Sequence, residues 1–277
     1  MKLTVLLDNN TLIDRYLIGE PGVCYHIEIG GRNILFDTGY SDIFIKNAEF
    51  LGLDLKAVDT IVLSHGHNDH SWGLGYLMQH FDRISFNPAP KINLVAHPAA
   101  FSPKFDGNKS IGANFPADCY SLYLNKVETK QPYYIADNLI FLREIKRLND
   151  FEGLRPAGET LDCCGERVGD WVPDDSAIVY TSAEGIVVIT GCSHSGICNI
   201  VDYAISVTGD SRVLAVIGGF HLLNANENVL TKTADHLSQI NPQHLYPCHC
   251  TDLNAKLALA KRVDIDEVGV GTVLEFA

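Results

Sequence analysis

One stretch limits what this chain can fold into more than any other: Leu63-Ser64-His65-Gly66-His67-Asn68-Asp69-His70-Ser71. Three histidines and a carboxylate fall within the six residues from His65 to His70. A short apolar run, Ile61-Val62-Leu63, precedes them and reads as a buried strand, and a helix-like pattern follows over 72–81. Strand, loop and helix in that order aim several side chains at one point. His65 and His67 are separated by one residue, so in an extended segment both imidazoles face the same side and can reach one ion. Asp69 and His70 come after the chain turns and can address a neighbouring ion. Nitrogen donors with one carboxylate suit Zn²⁺ best, with Mn²⁺, Fe²⁺, Co²⁺ and Ni²⁺ also allowed, so one or two divalent ions per chain are expected. The competing reading is a polar surface loop. Four donors packed between a strand and a helix weigh against it.

The rest of the chain alternates strands and helices. Residues 2–7 read as an edge or outer strand, and 22–28 and 33–36 as a hairpin around Gly30-Gly31. A helix over 44–51 and strands at 60–63 and 92–96 follow. From about 86 to 151 the pattern loosens into a loop-rich insertion, punctuated by Pro88, Pro90, Pro98, Pro103, Pro116 and Pro132 and carrying Phe101, Phe105, Phe115, Tyr120, Tyr123, Tyr133 and Tyr134. These aromatics either pack on the main core or cover a substrate. The second half shows a hairpin of 176–180 and 186–190, a helix over 197–208 closed by Gly209, a strand at 213–217, a helix over 226–240, a strand at 244–247, a helix over 252–263 and a last strand at 272–276. All 277 residues are expected to form a single domain.

Composition excludes some functions. The formal charge of −13 with no Lys/Arg run argues against nucleic acid as a partner. No apolar run is long enough to span a bilayer. The first ten residues read as a strand and lack a signal-peptide pattern, so no membrane partner and a cytoplasmic location are expected. The eight cysteines are scattered and are expected to be free or metal-linked. The adjacent Cys163-Cys164 pair is expected to be ordinary packing.

His65-Gly66-His67-Asn68-Asp69-His70 after a buried strand resembles the His-x-His-x-Asp-His signature of the metallo-β-lactamase superfamily. Asp37-Thr38-Gly39 is similar to that family's turn after an early strand, and Pro247-Cys248-His249-Cys250-Thr251 to its late strand with the last histidine ligand. Together with Gly191-Cys192-Ser193-His194-Ser195-Gly196-Ile197 and Gly218-Gly219-Phe220-His221, these motifs resemble a subgroup that contains 7,8-dihydropterin-6-methyl-4-(β-D-ribofuranosyl)aminobenzene-5′-phosphate synthases and metal-dependent hydrolases. The resemblance implies an α/β (α+β) fold, a four-layer αββα sandwich. It also implies His65 and His67 on one metal, and Asp69, His70 and His249 on the second. Binuclear relatives carry a bridging Asp after the strand-end glycine, whereas here Cys192 follows Gly191. Cys192 is therefore expected beside the metals and not on them, and His194 is the further candidate ligand. Asp37 is expected to orient a ligand imidazole. His221 either contacts substrate or transfers a proton, or else is structural. Cys248 and Cys250 are expected to face away from His249, as strand alternation dictates.

Two divalent ions, less the charges of Asp69 and a hydroxide, leave about +2 at the site while Cys192 stays a thiol. The expected partner is thus a small anionic substrate bearing phosphate or carboxylate, and a homo-oligomer is allowed. The expected activity is a metal-dependent hydrolase using a metal-activated water, with Asp69 and His221 as catalytic groups. Two alternatives stay open. One is a synthase condensing a dihydropterin with a ribofuranosylaminobenzene 5′-phosphate. The other is a non-catalytic, metal-bound ligand sensor.

Overall fold

A computed structural model of the chain describes residues 1–115 and 120–277. Pro116, one of the expected breakpoints, and Cys119 lie outside the described residues. The chain divides into two compact units. The first comprises Met1–Lys130, Ala157–Asp174 and Gly269–Phe276, and the second Gln131–Pro156, Asp175–Val268 and Ala277.

In chain order the first strands are β1 (Lys2–Leu7), β2 (Cys24–Ile29), β3 (Arg32–Phe36), β4 (Thr60–Val62), β5 (Ile92–Ala96), β6 (Lys104–Asp106), β7 (Lys109–Ser110) and β8 (Leu124–Glu128). Next come β9 (Tyr133–Ala136), β10 (Leu139–Phe141), β11 (Glu159–Leu161), β12 (Arg167–Gly169), β13 (Ala177–Thr181) and β14 (Ile186–Thr190). The last are β15 (Val213–Gly219), β16 (His244–Cys248) and β17 (Val273–Glu275). The helices are α1 (Ile43–Phe50), α2 (Asn68–Ser71), α3 (Gly73–Arg83), α4 (Ile197–Thr208), α5 (Glu227–Ile240) and α6 (Leu253–Leu259).

The first unit is built on a sheet of order β17-β1-β2-β3-β4-β5-β8. Gly30 and Gly31 both take positive φ and close the β2–β3 hairpin, the turn geometry that twisted antiparallel strands accept. β3, β4 and β5 then run parallel, with Phe36 beside Val62 and Val62 beside Val95. Parallel strands end together, so the residues just after them, Asp37 after β3 and Ser64-His65 after β4, meet at one edge. That is where open α/β sheets place ligands. Helices α1 and α3 bury Phe44, Ala48, Leu74, Leu77 and Phe81 in one core with Leu35, Ile61, Leu63 and Leu94.

Three expectations change here. β1 is not an edge strand, because β17 pairs with its outer side and Leu3 to Leu7 are all buried. The helix expected over 72–81 starts earlier, with Asn68–Ser71 already helical, breaks at Trp72 and continues to Arg83. Cys163 and Cys164 are both exposed at the turn between β11 and β12, so they are not packed. That hairpin belongs to a small sheet, β12-β11-β6-β7, and so recruits part of the 86–151 stretch.

The second unit is built on a sheet of order β16-β15-β14-β13-β10-β9. β13 and β14 form the expected antiparallel hairpin, while β14, β15 and β16 run parallel. Again three parallel strands end on one edge, and the chain just beyond them carries Cys192 to His194, His221 and His249. Gly209, left-handed at φ 70, closes α4 where the sequence places its end. Asn226 and Asp252 cap α5 and α6 by accepting the Val229 and Ala255 N–H groups. α6 stops at Leu259, short of the expected 263. Among the described residues no helix is long and apolar enough to cross a membrane.

A single buried amide ties the loop after β1 to the sheet. Asn47 of α1 donates to the Leu6 and Ile18 carbonyls, both at 2.8 Å, and accepts the Ile18 N–H at 3.0 Å. Asn47→Leu leaves these backbone groups unsatisfied, and urea unfolding should show a loss of about 1–3 kcal/mol.

Candidate metal centre

In the first unit the histidine loop is held from several sides. The Gly66 N–H donates to Asp174 Oδ2 at 2.7 Å. Gly66 must lack a side chain, since a Cβ there would lie 2.0 Å from the Ala100 carbonyl oxygen. Asp174 and Asp170 both accept from Lys104 Nζ at 2.8 Å. Lys104 is 1% exposed, and burial, which disfavours its charge, is outweighed by the two carboxylates, so its pKa is raised. Further along, the Asn68 N–H bonds the Ile111 carbonyl at 2.8 Å, and Thr38 N–H bonds the His70 carbonyl at 2.8 Å. The Asp37-Thr38-Gly39 turn thus grips the loop backbone as well as its side chains.

Asp37 decides which nitrogens face outward. It is fully buried and left-handed at φ 59, a conformation that costs energy and concentrates at functional sites. Its Oδ1 accepts the Ser64 N–H at 2.7 Å, and its Oδ2 accepts the Ser64 hydroxyl and His70 Nδ1–H, each at 2.7 Å. Because the Ser64 hydroxyl donates to Asp37, it must accept from His65 Nδ1, 2.9 Å away. Both histidines therefore carry their proton on Nδ1 and present an Nε2 lone pair.

Those lone pairs converge. His65 Nε2 lies 3.0 Å from His67 Nδ1, and His70 Nε2 lies 3.6 Å from Asp69 Oδ2. Two donors each about 2.1 Å from one ion stand about 3.0 to 3.6 Å apart at angles between square and trigonal, so both pairs fit a divalent cation. His67 is buried, and desolvation, reinforced by Lys104, lowers its pKa to about 4. Its imidazole is neutral at physiological pH, the state a metal requires.

In the second unit the strand-end loops meet each other. The Ser193 hydroxyl donates to the Gly219 carbonyl at 2.6 Å, and the Gly219 N–H returns a bond to the Gly191 carbonyl at 2.9 Å. Asp175 accepts the Ser195 N–H at 2.8 Å, and burial raises its pKa. Cys192 Sγ lies 3.1 Å from His249 Nε2. The His194 and His221 rings are 4.3 Å apart between centroids, with His194 buried and His221 exposed. Ser193, His221 and His249 are all left-handed, at φ 62, 53 and 51.

That last angle overturns the expectation for Cys250. β16 ends at Cys248 and His249 is left-handed, so strand alternation no longer applies. Cys250 Sγ turns back, accepting the His221 N–H at 3.2 Å and donating to the Cys192 carbonyl at 3.4 Å. Cys248 stays in the core, as expected.

The first unit thus assembles His65, His67, Asp69, His70 and Asp37, and the second assembles Cys192, His194, His221 and His249. Sequence reasoning missed Ser64, Lys104 and Asp170. Ser64 adjoins the motif and could have been read as a relay hydroxyl. Lys104 and Asp170 are 66 residues apart and carry no local signal. A cleft of about 500 Å³ opens beside His67 and Asp69, lined further by Pro21, Tyr40, Asn68, Ile111 and Gly158. Its Tyr40 ring stacks on Trp72, with 5.0 Å between centroids.

Residues 17–118, which hold the whole histidine loop, match the profile described as the metallo-beta-lactamase superfamily. The chain is also 33% identical over 262 residues to an uncharacterized protein of Methanocaldococcus jannaschii, covering 94% of each. The chain belongs to the metallo-β-lactamase superfamily. Within it, the chain is 28% identical to a 7,8-dihydropterin-6-methyl-4-(beta-D-ribofuranosyl)-aminobenzene-5'-phosphate synthase of the same archaeon, over 93% of this chain and 90% of that one. The crystal structure of a metal-dependent hydrolase of the β-lactamase superfamily superposes with a TM-score of 0.84 at 29% identity, covering 100% of this chain and 99% of the other. The mixed α/β architecture with several sheets is accordingly that of the superfamily, and its donor groups suit a divalent metal.

Two outcomes test this account. Lys104→Met leaves Asp170 and Asp174 buried without their cation, so denaturant unfolding should show a loss of about 3–5 kcal/mol. Metal content measured on the purified variant should fall with it. The pH dependence of the metal-free protein should carry the His67 signature. A pKa lowered from 6.5 to about 4 means that stability is fully present above pH 6.5 and is lost as pH falls toward 4. Urea unfolding between pH 7.5 and 4.5 should therefore cost the parent protein more than His67→Gln, by roughly 1–3 kcal/mol.

Proposed function

We propose that this superfamily member is a metal-dependent hydrolase of a small anionic, phosphate-bearing substrate. The observation that carries the reading is the donor geometry around Asp37, in which one buried carboxylate sets the tautomers of His65 and His70 and leaves their lone pairs beside those of His67 and Asp69. The proposed ligands, taken from the family resemblance, are His65, His67, Asp69, His70, His194 and His249, with Zn²⁺ as the best fit to this nitrogen-rich set. When bound, divalent ions supply Lewis acidity and lower the pKa of water to about 7.

The chain's own residues do the rest. Asp37 holds the His70 ring in one orientation through Nδ1 and makes Nε2 more basic. Asp69 and His70 lie within one short helical turn, so their donor atoms move as a unit. Asp69, with 27% of its side chain exposed, borders the cleft and can orient the attacking group as well as bind metal. His221 is exposed at a strained strand end and suits proton donation to a leaving group. The cleft's volume lies in the range of ordinary small-molecule sites, and its Tyr40, Pro21 and Ile111 suit the apolar part of the substrate while its anion faces the metals.

The synthase reading has one specific support, the 28% identity to the dihydropterin-dependent synthase over nearly the whole of both chains. The two readings separate in one assay on metal-loaded protein. Turnover of simple phosphate esters, inhibited by inorganic phosphate and lost in Asp69→Asn, is the expected result. Release of pyrophosphate on mixing a dihydropterin diphosphate with a ribofuranosylaminobenzene 5′-phosphate, with no ester turnover, would replace the hydrolase by the synthase.

A further inference from the structure

Cys163 and Cys164 take no part in the proposed site. They sit side by side in the turn between β11 and β12, and among the described cysteines they are the exposed ones. Cys24, Cys192, Cys198 and Cys248 are buried, and Cys250 is half-buried. The two sulfurs lie 4.0 Å apart. Thiol chemistry follows access, so a solute reaching this surface meets both sulfurs together.

The turn holds the pair in this arrangement. Asp162 Oδ1 accepts the Cys164 N–H at 2.8 Å and the Glu166 N–H at 2.9 Å. The Asp162 N–H donates to the Glu166 carbonyl at 2.9 Å, and Gly165, left-handed at φ 82, donates its N–H to the Asp162 carbonyl at 3.1 Å. Beneath the turn the ladder pairs Leu161 with Arg167 and Glu159 with Gly169. At the foot of the hairpin the Ala157 N–H donates to the Asp170 carbonyl at 2.8 Å, and the Asp170 N–H to the Gly158 carbonyl at 3.0 Å. Ala157 and Gly158 belong to the wall of the cleft beside His67. The dithiol thus stands at the far end of a hydrogen-bonded hairpin whose base is cleft wall.

We propose that Cys163 and Cys164 form a reversible dithiol–disulfide site that exchanges with low-molecular-weight disulfides of the glutathione class. The thiolate of one cysteine attacks a sulfur of the external disulfide, giving a mixed disulfide and releasing one small thiolate. The thiolate of the other cysteine attacks the protein sulfur of that mixed disulfide. The Cys163–Cys164 bond forms and the second small thiolate leaves. Two electrons pass from the protein thiols to the external disulfide, and the two protons go through solvent to the released thiolates. The second attack is intramolecular between neighbouring side chains, so it outruns attack by a second external molecule. Reversibility follows from adjacency. Consecutive Cα atoms across a trans peptide stand about 3.8 Å apart, below the roughly 4.4–6.8 Å that disulfides usually span. A ring closed within one dipeptide is strained and exposed, the kind of disulfide that thiols reopen. The chemistry needs neither metal nor substrate, so it stands apart from the proposed activity.

The test incubates the folded full chain with oxidised glutathione and reads the peptide that carries both cysteines by mass spectrometry. The parent is expected to lose two hydrogen atoms from this peptide and to keep no glutathione on it. Reduced glutathione added afterwards is expected to restore the dithiol. Cys163→Ser and Cys164→Ser, each a change at an exposed turn, are expected to stop at the mixed disulfide and to hold one glutathione on the remaining cysteine. A parent peptide that stays fully reduced overturns the inference, and so does one that accumulates glutathione on both cysteines. A Cys163–Cys164 bond that forms but resists reduced glutathione makes the pair a structural staple and overturns it as well.

Discussion

The Asp37 carboxylate is the interaction on which the first half of the site depends. It is fully buried, and a buried carboxylate is tolerable only when its lone pairs are used. Ser64 and His70 use them, with three donors at 2.7 Å. The same bonds that make Asp37 affordable also orient two imidazoles, one directly and one through the Ser64 hydroxyl. Stability and ligand chemistry are here a single network. The left-handed backbone at Asp37 belongs to the same trade, since it turns the carboxylate under the loop instead of letting β3 run on.

Both units solve the positioning problem in the same way. Each has a run of parallel strands ending at a common edge, and each puts its polar donors in the residues just beyond. Hydrogen-bonded strands give a rigid base, and the strand-end residues leave it in conformations that strands do not permit. Among the described residues, Asp37, Ser193, His221 and His249 are all left-handed without being glycine. Such strain persists only where surrounding contacts over-determine it. In the first unit that restraint includes the buried Lys104 with Asp170 and Asp174. In the second it is the Ser193–Gly219 lock and the thiol of Cys250.

Much of this was legible from residue order. The spacing of His65, His67, Asp69 and His70, the hairpins at Gly30-Gly31 and 183–185, and the α4 helix with its Gly209 stop are all local patterns, set by periodicities that neighbouring residues impose on one another. β1 looked like an edge strand because its partner β17 comes from the other end of the chain, and pairing between distant segments leaves no mark in either. Cys250 escapes strand alternation because the period-two rule holds only while the strand lasts, and β16 stops two residues before it. Cys163-Cys164 looked like packing, but the pair sits at the exposed turn of a hairpin whose sheet neighbour, β6, lies more than 50 residues earlier.

What the sequence determined by itself is the kind of chemistry: donor types, their local spacing, and membership in the metallo-β-lactamase superfamily. Those depend on side-chain identity and on short-range geometry along a strand or helix. What only the tertiary structure decided is which atoms of those donors are available, and what holds them. The tautomers of His65 and His70, the salt-bridged anchor at Lys104, and the approach of Cys192 to His249 across 57 residues of sequence each require segments far apart in the chain to meet. Hydrogen bonds of about 3 Å have no signature in residue order until folding brings their two ends together.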